Sequence, residues 1–342
     1  MIDLRSDTVS RPNDSMRKVI ESSVVGDDVI GDDPTVKRLE KLAARTVGKE
    51  ASLYVPSGTM GNLIALLVHC QANKAAIVGS ESHILWHEGL GATQLGGIHL
   101  ISIENEADGK LSNTDLEKFE KDKVAHPAVI CLENTHNRCG GRVLDGKYLS
   151  EMAIRAKELN SKVHMDGARI FNAALALNCD VAELTQEVDS ISFCFSKGLG
   201  APIGSVLCGD TEFIQQARMM RRNLGGGMRQ VGIIASAAEF ALQNNVERLT
   251  DDHSNAKLIA HALSQFTEVE INVDDVETNI VYFTLTNIDG DQFEQTLLEK
   301  GLSVSRPKSK QEIRIVTHID ISEQDTKQAI EIMQSTIADM SN

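Results

Sequence analysis

Lys197 stands where covalent chemistry could occur. It follows the alternating segment Ser192–Ser196 and precedes Gly198 and Gly200, so it lies at the end of a predicted strand among small residues. A lysine in this position can be a solvated surface charge, can bind an anion, or can form a Schiff base with a carbonyl compound. Most lysines are surface residues, so the other candidate groups must decide among these three uses.

A candidate phosphate-binding turn lies at Pro56–Thr59. It joins a predicted strand to a predicted helix, and Gly58 would let an anion approach the backbone N–H groups at the helix N-terminus. Ser57 or Thr59 could instead act as a simple N-cap. The turn lacks the Lys-Ser/Thr ending of a Walker A loop, so that class of nucleotide site is excluded.

Two further polar groups follow predicted strands. Asp166, in the segment His164–Arg169, could serve the ring nitrogen of a heterocycle or a metal ion, or could cap the next helix. His83 could be only a satisfied polar residue, but its place at the carboxyl end of a strand favours a role in a site. Neither His164-x-Asp166 nor the segment Cys131–Cys139 has the four-ligand spacing of a structural zinc, so we expect no metal.

Two glycine-rich segments need separate interpretations. Arg221–Gln230 carries three arginines around three consecutive glycines, which is typical of an anion-binding loop, although a flexible hinge is the alternative. Gly198–Gly204 is not a dinucleotide-binding loop, because Pro202 lies where the helix should begin and a strand-like run follows.

Length and composition predict a globular protein of more than one unit. The chain has 342 residues, 42% of them apolar and 24% charged, which is close to average soluble usage. A net charge of −15 argues against nucleic acid or an anionic membrane as a partner. The six cysteines are scattered, the N-terminus has no signal-peptide core, and the longest dense apolar run, Leu63–Cys70, is too short to span a bilayer. We therefore expect a cytoplasmic protein with reduced thiols.

Strand-like and helical patterns alternate from residue 51 to residue 208, which predicts a mostly parallel sheet with helices on both faces. In such sheets a ligand binds at the carboxyl ends of the strands. The predicted strands are Ala51–Val55, Ala75–Val78, Ile98–Ile103, Ala128–Leu132, Lys162–Met165, Ser190–Phe195 and Gly204–Cys208. The predicted helices are one that follows Pro34 and those at Gly58–Cys70, Asn113–Lys121, Lys147–Leu159 and Ala168–Leu177.

The pattern changes near residue 250. Residues from Gln230 to about Phe266 are continuously helical in pattern, and shorter strands and helices follow. We therefore predict a large domain over residues 1–250 and a smaller α+β domain over residues 251–342. The predicted elements of the smaller domain are strands at Val269–Val273, Asn279–Leu285, Leu302–Ser305 and Glu312–Val316, and helices at Gln292–Lys300 and Ser322–Met340.

The candidate groups converge on one chemistry. A phosphate cradle, an acid for a ring nitrogen, a lysine at a strand end and arginines for anions form the set that pyridoxal 5'-phosphate (PLP) requires. Their order is that of fold-type-I PLP enzymes, the aspartate aminotransferase-like fold. The sequence also resembles the low-specificity L-threonine aldolases, densely over about the first 230 residues and thinly beyond them. The motifs that carry the resemblance are Asp3–Thr8, Gly26–Asp28, Gly31–Thr35, Pro56–Asn62, Glu133–Asn137, His164–Asn172, Ser196–Pro202, Gly225–Gln230 and Arg314–His318.

The resemblance implies a role for each candidate residue. Lys197 would bind PLP covalently, and Asp166 would pair with the ring nitrogen of the cofactor. His83 would stack on the cofactor ring, while Gly58 and Thr59 would bind its phosphate. The other implied contacts are Arg222 and Arg229, which would reach the phosphate from a neighbouring subunit, and Ser6, Arg169 and Arg314, which would bind the amino-acid carboxylate, with Arg169 also near the cofactor.

The implied reaction is retro-aldol cleavage of threonine or allo-threonine, as small amino-acid substrates, to glycine and an aldehyde. His83 and His126 are the candidate bases for the β-hydroxyl proton. The alternatives are another fold-type-I lyase, which would carry out β-elimination on a polar amino acid, and a non-catalytic binding or structural subunit of the same fold. Because the fold type implies active sites shared between subunits, a homotetramer built as a dimer of dimers is expected.

Overall fold

A computed structural model describes residues 1–70, 74–122, 127–306 and 309–341. The strands are β1 (Ile2–Asp3), β2 (Ala51–Val55), β3 (Ala75–Gly79), β4 (His99–Ile103), β5 (Pro127–Glu133), β6 (Lys162–Asp166), β7 (Ser190–Cys194), β8 (Ser205–Gly209), β9 (Val269–Glu270), β10 (Ile280–Leu285), β11 (Leu302–Ser303) and β12 (Glu312–Val316). The helices are α1 (Asp14–Glu21), α2 (Pro34–Thr46), α3 (Gly58–His69), α4 (Gly89–Gly96), α5 (Asn113–Asp122), α6 (Gly146–Glu158), α7 (Ile170–Leu177), α8 (Val181–Thr185), α9 (Thr211–Asn223), α10 (Gly232–Asn244), α11 (Leu249–Leu263), α12 (Gly290–Glu299) and α13 (Glu323–Met340).

The main sheet has seven strands in the order β2-β8-β7-β6-β5-β3-β4. The parallel pairs are β4 with β3, β3 with β5, β5 with β6, and β6 with β7. Strand β8 runs antiparallel to both of its neighbours, β2 and β7. The prediction of a mostly parallel sheet is therefore confirmed. The carboxyl ends of β6 and β7 meet at one edge, so Asp166 and the turn that carries Lys197 lie on the same side of the sheet.

Helix α3 begins directly after β2 and packs on the main sheet. Ser57 is its N-cap, and the Ser57 Oγ accepts a hydrogen bond from the Met60 N–H at 3.2 Å. Gly58 lets the helix approach the sheet closely, because a Cβ at this residue would lie 3.0 Å from the Sγ of Cys194. The helix N-terminus thus lies at the same edge of the sheet as Asp166.

The C-terminal residues form a second core. Its sheet has the antiparallel order β12-β10-β9, and β11 pairs in parallel with β1 at the other end of the chain. Ile2 and Leu4 are buried in this second core, together with Phe283 and Phe293. The boundary predicted near residue 250 falls at the start of α11, and the division into two domains stays a prediction.

Three predicted elements differ from the structure, and one of them is the strand predicted at Leu302–Ser305, which stops after two residues. The continuous helix over Gln230–Phe266 is wrong: α10 and α11 are separate, because the chain turns at residues 245–248. Asn245 ends α10 and donates its Nδ2 to the Leu199 carbonyl oxygen at 2.7 Å, a tertiary contact that helical periodicity does not reveal. The strand predicted at Val269–Val273 stops after two residues.

No helix in the described ranges combines the length and the hydrophobicity that crossing a membrane needs.

Candidate active site

The turn that follows β7 carries Lys197. Backbone hydrogen bonds of 3.0 Å from the Phe195 N–H to the Gly204 oxygen and from the Ala201 N–H to the Phe195 oxygen close this turn. Gly200, with φ of +78°, adopts a left-handed conformation that favours glycine. The half-buried Lys197 side chain makes no hydrogen bond or ion pair within the described part of the chain. Its amine is therefore available for covalent attachment of a cofactor.

Asp166 is buried at the end of β6, and both of its carboxylate oxygens accept hydrogen bonds. Oδ1 accepts from the Ala168 N–H at 3.1 Å, and Oδ2 accepts from the Nδ2 of Asn62 at 2.9 Å. Asp166 thus holds the turn before α7 and also presents a carboxylate at the sheet edge.

His83 lies just before a π-helical turn, Ile84–Glu88, and forms a close pair with Glu88. The Nδ1 of His83 is 2.5 Å from the Oε1 of Glu88, and the His83 N–H donates to the Oε2 of Glu133 at 2.7 Å. Burial alone would lower the pKa of His83, but the hydrogen bond to Glu88 and the charge of Asp166 outweigh burial and raise it. Burial raises the pKa of the Glu88 carboxyl as well.

One group of three potential metal ligands, His83, Glu88 and Asp166, occurs among the described residues, with ligand atoms within 4.8 Å of one another. These atoms already take part in hydrogen bonds. His83 bonds to Glu88, and Asn62 donates to Glu88 at 3.3 Å and to Asp166 at 2.9 Å. The group is therefore a hydrogen-bonded cluster as it stands.

Arg169 and Arg314 lie together and share a contact with Asn137. Arg169 makes two hydrogen bonds of 2.7 Å to the carboxylate of Asp7, through its Nε and Nη2. The Nη1 of Arg169 and the Nη2 of Arg314 converge on the Oδ1 of Asn137, at 3.4 Å and 2.7 Å. The structure thus brings together two arginines that are 145 residues apart, with Asp7 occupying one edge of the Arg169 guanidinium.

The electrostatics of Asp7 link these arginines to Lys197. Burial by itself would raise the pKa of Asp7, but the charge and hydrogen bonds of Arg169 and the charges of Lys197 and Arg314 outweigh it and lower the pKa below its ordinary value. In the same way the pKa of His83 responds to the charges of Asp166 and Lys197. The charge of Lys197 therefore acts on both the His83 cluster and the arginine cluster, so the two clusters lie close to the same lysine.

The remaining predicted residues lie as follows. Ser6 precedes Asp7, and its Oγ accepts hydrogen bonds from the N–H of Thr8 at 3.2 Å and from its hydroxyl at 2.8 Å. Gly58 and Thr59 are the first two residues of α3, where backbone N–H groups have no acceptor within the helix. His126 lies outside the described residues.

Arg222 and Arg229 make no hydrogen bond or ion pair with the residues of this site within the described part of the chain. Both are exposed, and Arg229 pairs with Asp27 at 3.0 Å. The buried arginine of this segment is Arg221, which bonds to Asp28 at 2.6 Å and to the Tyr54 carbonyl oxygen at 2.7 Å. Arg221 therefore fixes the arginine loop to the segment before α2 and to β2, while the other two arginines are exposed.

Sequence analysis assigned no role to several residues that complete the site: Asn62, Asp7, Glu88, Asn137 and His164. All of them except Glu88 lie inside the motifs that carry the family resemblance, and membership of those motifs was the feature of the sequence that could have identified them. Glu88 follows His83 by five residues, and only the π-helical turn brings the two side chains together.

The residues of the site fit PLP. The cofactor offers an aldehyde, a ring nitrogen and a phosphate. The partners that could hold these groups are the unengaged amine of Lys197, the carboxylate of Asp166 and the first N–H groups of α3, where Gly58 leaves no side chain in the way. The buried Nε of Arg314 has no hydrogen-bond partner among the described atoms, so it could receive a carboxylate oxygen.

Comparisons with known proteins show which family the sequence resembles. The sequence model of the family described as beta-eliminating lyase matches residues 3–286. The chain is 44% identical over 335 residues to the "Probable low-specificity L-threonine aldolase 2" of Arabidopsis thaliana, an alignment that covers 95% of this chain and 94% of that protein. It is 42% identical over 325 residues to the "Low specificity L-threonine aldolase" of Escherichia coli K12, with 94% and 95% covered.

A solved structure supports the fold. The threonine aldolase of Leishmania major superposes with a TM-score of 0.83 at 17% identity, over 98% of this chain and 100% of that chain. This likeness confirms the predicted fold-type-I architecture, with its mostly parallel main sheet and its small C-terminal sheet.

Proposed function

The chain belongs to the family of low-specificity L-threonine aldolases, and we propose that it cleaves L-threonine and L-allo-threonine to glycine and acetaldehyde with PLP bound to Lys197. The observation that carries this proposal is the 44% identity to a threonine aldolase over nearly the whole of both chains. The cluster of Lys197, Asp166, His83, Arg169 and Arg314 supports it, because each supplies a group that such a carbon–carbon lyase needs.

Each residue of the site has its own role, which its position determines. Lys197 would hold the cofactor through its amine, which the amino group of the substrate can displace. Asp166 would face the ring nitrogen with its carboxylate, and the first N–H groups of α3, at Gly58 and Thr59, would bind the phosphate. When bound, PLP withdraws electrons from the α-carbon of the attached amino acid.

His83 takes the proton from the β-hydroxyl group. Its Nδ1 is occupied by Glu88, so its Nε2 is the nitrogen that can accept the proton. Glu88 stabilises the imidazolium that results, because the carboxylate accepts the Nδ1–H. His126 is a second candidate for this role.

The arginine cluster orients the substrate. Arg314 binds the substrate carboxylate, and Ser6 lies close to the same end of the site. Arg169, whose Nε and Nη2 edge is taken by Asp7, contributes through its remaining Nη1 side. A fixed carboxylate sets which bond at the α-carbon aligns with the cofactor, and such positioning can lower the barrier substantially.

The active protein is a homotetramer, a dimer of dimers, in this proposal. Arg222 and Arg229 are exposed and bond to none of the described site residues of their own chain, which suits groups that reach the phosphate of a neighbouring subunit. Several large apolar side chains are also exposed, including Trp86 and Leu90. Light scattering of the active protein tests this: an active monomer would contradict it.

The decisive experiment measures glycine release from L-threonine, L-allo-threonine and their D-forms side by side. We expect release from both L-isomers only, and Lys197→Ala should abolish turnover together with the covalently bound chromophore. Full activity of Lys197→Ala would refute the mechanism. The family's description as beta-eliminating lyases makes β-elimination the second candidate, and production of ammonia and a keto acid instead of glycine and acetaldehyde would favour it.

A further inference from the structure

A stripe of polar residues runs beneath Asp166, between α3 and the main sheet. His164 precedes Asp166 by two residues on β6, so both side chains point to the same face of the sheet. On β7, Ser190 lies opposite His164 and Ser192 lies opposite Asp166. All of these side chains are fully or almost fully buried beneath α3.

Helix α3 supplies the other two members of the stripe. Asn62 and His69 are seven residues, or about two turns, apart, so they project from the same face of the helix. Asn62 lies over Asp166 near the start of α3, and His69 is its last residue. The ring of His69 stacks on Phe213, with ring centroids 4.6 Å apart.

Chemistry fixes the direction of the hydrogen bonds near Asp166. The Nδ2 of Asn62 donates to Asp166 at 2.9 Å and to Glu88 at 3.3 Å, so the Oδ1 of Asn62 can only accept. The Nε2 of His164 lies 3.1 Å from that oxygen and must therefore donate to it. The hydroxyl of Ser192 donates to the same oxygen.

The same reasoning extends to the far end of the stripe. Burial lowers the pKa of His164 to about 3, so the ring is neutral and its Nδ1 accepts from the hydroxyl of Ser190 at 2.9 Å. The oxygen of Ser190 then accepts from the Nε2–H of His69 at 2.7 Å. Burial lowers the pKa of His69 to about 4, so it too is neutral. Every hydrogen bond from His69 onward is thus donated toward Asp166.

We infer that His69, Ser190, His164 and Asn62 form a relay of positioning residues that holds the Asp166 carboxylate aligned for the ring nitrogen of PLP. Apolar side chains would fill the space between a helix and a sheet without the cost of desolvating polar groups. The relay has all of its hydrogen bonds satisfied, and such chains polarise one another in a medium of low dielectric constant. The inference rests on the proposed function, because Asp166 needs this support only if it serves a cofactor.

Other charged groups also face Asp166. Those whose charges interact with Asp166, besides the relay, are His83, Glu88, Cys131 and Cys194. Asn62→Ala also removes the hydrogen bond from Asn62 to Glu88. His164→Leu and His69→Leu leave all four groups and their hydrogen bonds in place, so a change in these two variants reports on the relay.

The test uses the PLP-loaded enzyme and three variants, Asn62→Ala, His164→Leu and His69→Leu. The two measurements are the dissociation constant of PLP and the pH midpoint of the absorption of PLP bound to Lys197. Loss of one hydrogen bond to a charged group predicts about 10- to 100-fold weaker PLP binding for Asn62→Ala. Its absorption midpoint should rise by about one pH unit. A less firmly held Asp166 would stabilise the positive charge on the ring nitrogen less, and that charge opposes protonation of the linkage between PLP and Lys197.

The relay predicts a gradient that a merely structural role does not. The change in midpoint should decrease in the order Asn62→Ala, His164→Leu, His69→Leu, whatever the thermal stabilities are. His164→Gln, whose amide can donate in place of the Nε2–H, should restore the midpoint. Met165→Ala alters an equally buried residue on the opposite face of β6, so it should lower stability and leave the midpoint unchanged.

Two results would overturn the inference: an unchanged midpoint in both Asn62→Ala and His164→Leu, or a shift in Met165→Ala as large as in His164→Leu. If Asn62→Ala does not fold, Ser190→Ala, which removes a single oxygen atom, supplies the same comparison. Failure of the wild-type protein to bind PLP would refute the proposed function instead. In that case ¹⁵N spectra of labelled histidines still test the relay, since neutral Nε2–H forms of His69 and His164 are required.

Discussion

Asp7→Asn tests the architecture of the arginine cluster. The Asp7 carboxylate is fully buried, receives two 2.7 Å hydrogen bonds from Arg169 and accepts a third from the Nδ2 of Asn279 at 3.3 Å. Asparagine keeps the shape of the side chain but leaves the buried guanidinium without its counter-charge. Removing one partner of a buried ion pair costs about 3–5 kcal/mol, and we expect the free energy of unfolding at pH 7 to fall by that amount.

The pH dependence of this loss follows from the pKa of Asp7. Burial alone would raise that pKa, but the charge and hydrogen bonds of Arg169 outweigh burial, so the folded-state pKa lies below the ordinary value. An acid of this kind adds stability above its unfolded-state pKa of about 3.9 and loses that stability as the pH falls toward the folded-state pKa. The difference between wild type and Asp7→Asn should therefore be largest near neutral pH and should shrink below about pH 4.

Urea unfolding followed by circular dichroism at pH 7, 5 and 3.5 measures both effects. The matched control is Asp3→Asn, which removes a carboxylate from the same segment but breaks only the exposed pair with Arg5. That pair should contribute less than about 1 kcal/mol. A loss for Asp7→Asn no larger than for Asp3→Asn, or one of equal size at pH 7 and 3.5, would refute the reasoning.

Two further substitutions test the turn and the acid–base pair. Gly204→Ala should lower the free energy of unfolding by more than about 2 kcal/mol, because φ at this residue is +108° and the added Cβ would overlap the Tyr54 hydroxyl. The control is Gly146→Ala, whose Cβ would have nothing within 4 Å. It should leave the free energy of unfolding nearly unchanged in the same urea titration. Glu88→Gln removes the hydrogen-bonded charge that, against the effect of burial, raises the pKa of His83, so the acid limb of the kcat/KM profile should move to lower pH by about 0.5–1 unit; an unmoved limb would exclude this pairing.

The strand ends were the part of the site that the sequence predicts best. Lys197, Asp166 and His83 each follow a strand whose alternation or apolar run is readable, and parallel strands place their carboxyl ends at one edge whatever their order is. The strand order itself, and the antiparallel direction of β8, depend on how the turn at residues 195–204 folds back. Periodicity does not contain that information.

Contacts between distant segments were not predictable from local pattern. The pair of Asp7 and Arg169 joins residues 162 positions apart, and the bond from Asn62 to Asp166 spans 104. The break between α10 and α11 has the same origin, since the side chain of Asn245 bonds to the turn that carries Lys197. In each case the residue type is compatible with several roles, and only the tertiary neighbour selects one.

The arginine cluster also joins the two cores of the molecule. Leu4 is buried in the C-terminal core, whereas Asp7, three residues later, bonds to Arg169 beside the main sheet. Arg314 lies in β12 of the C-terminal sheet, and its side chain bonds to Asn137, just beyond β5 of the main sheet. A shift of the C-terminal core relative to the main sheet would therefore break both connections at once. Because Arg314 is the proposed partner of the substrate carboxylate, binding that carboxylate and fixing the two cores must be energetically linked.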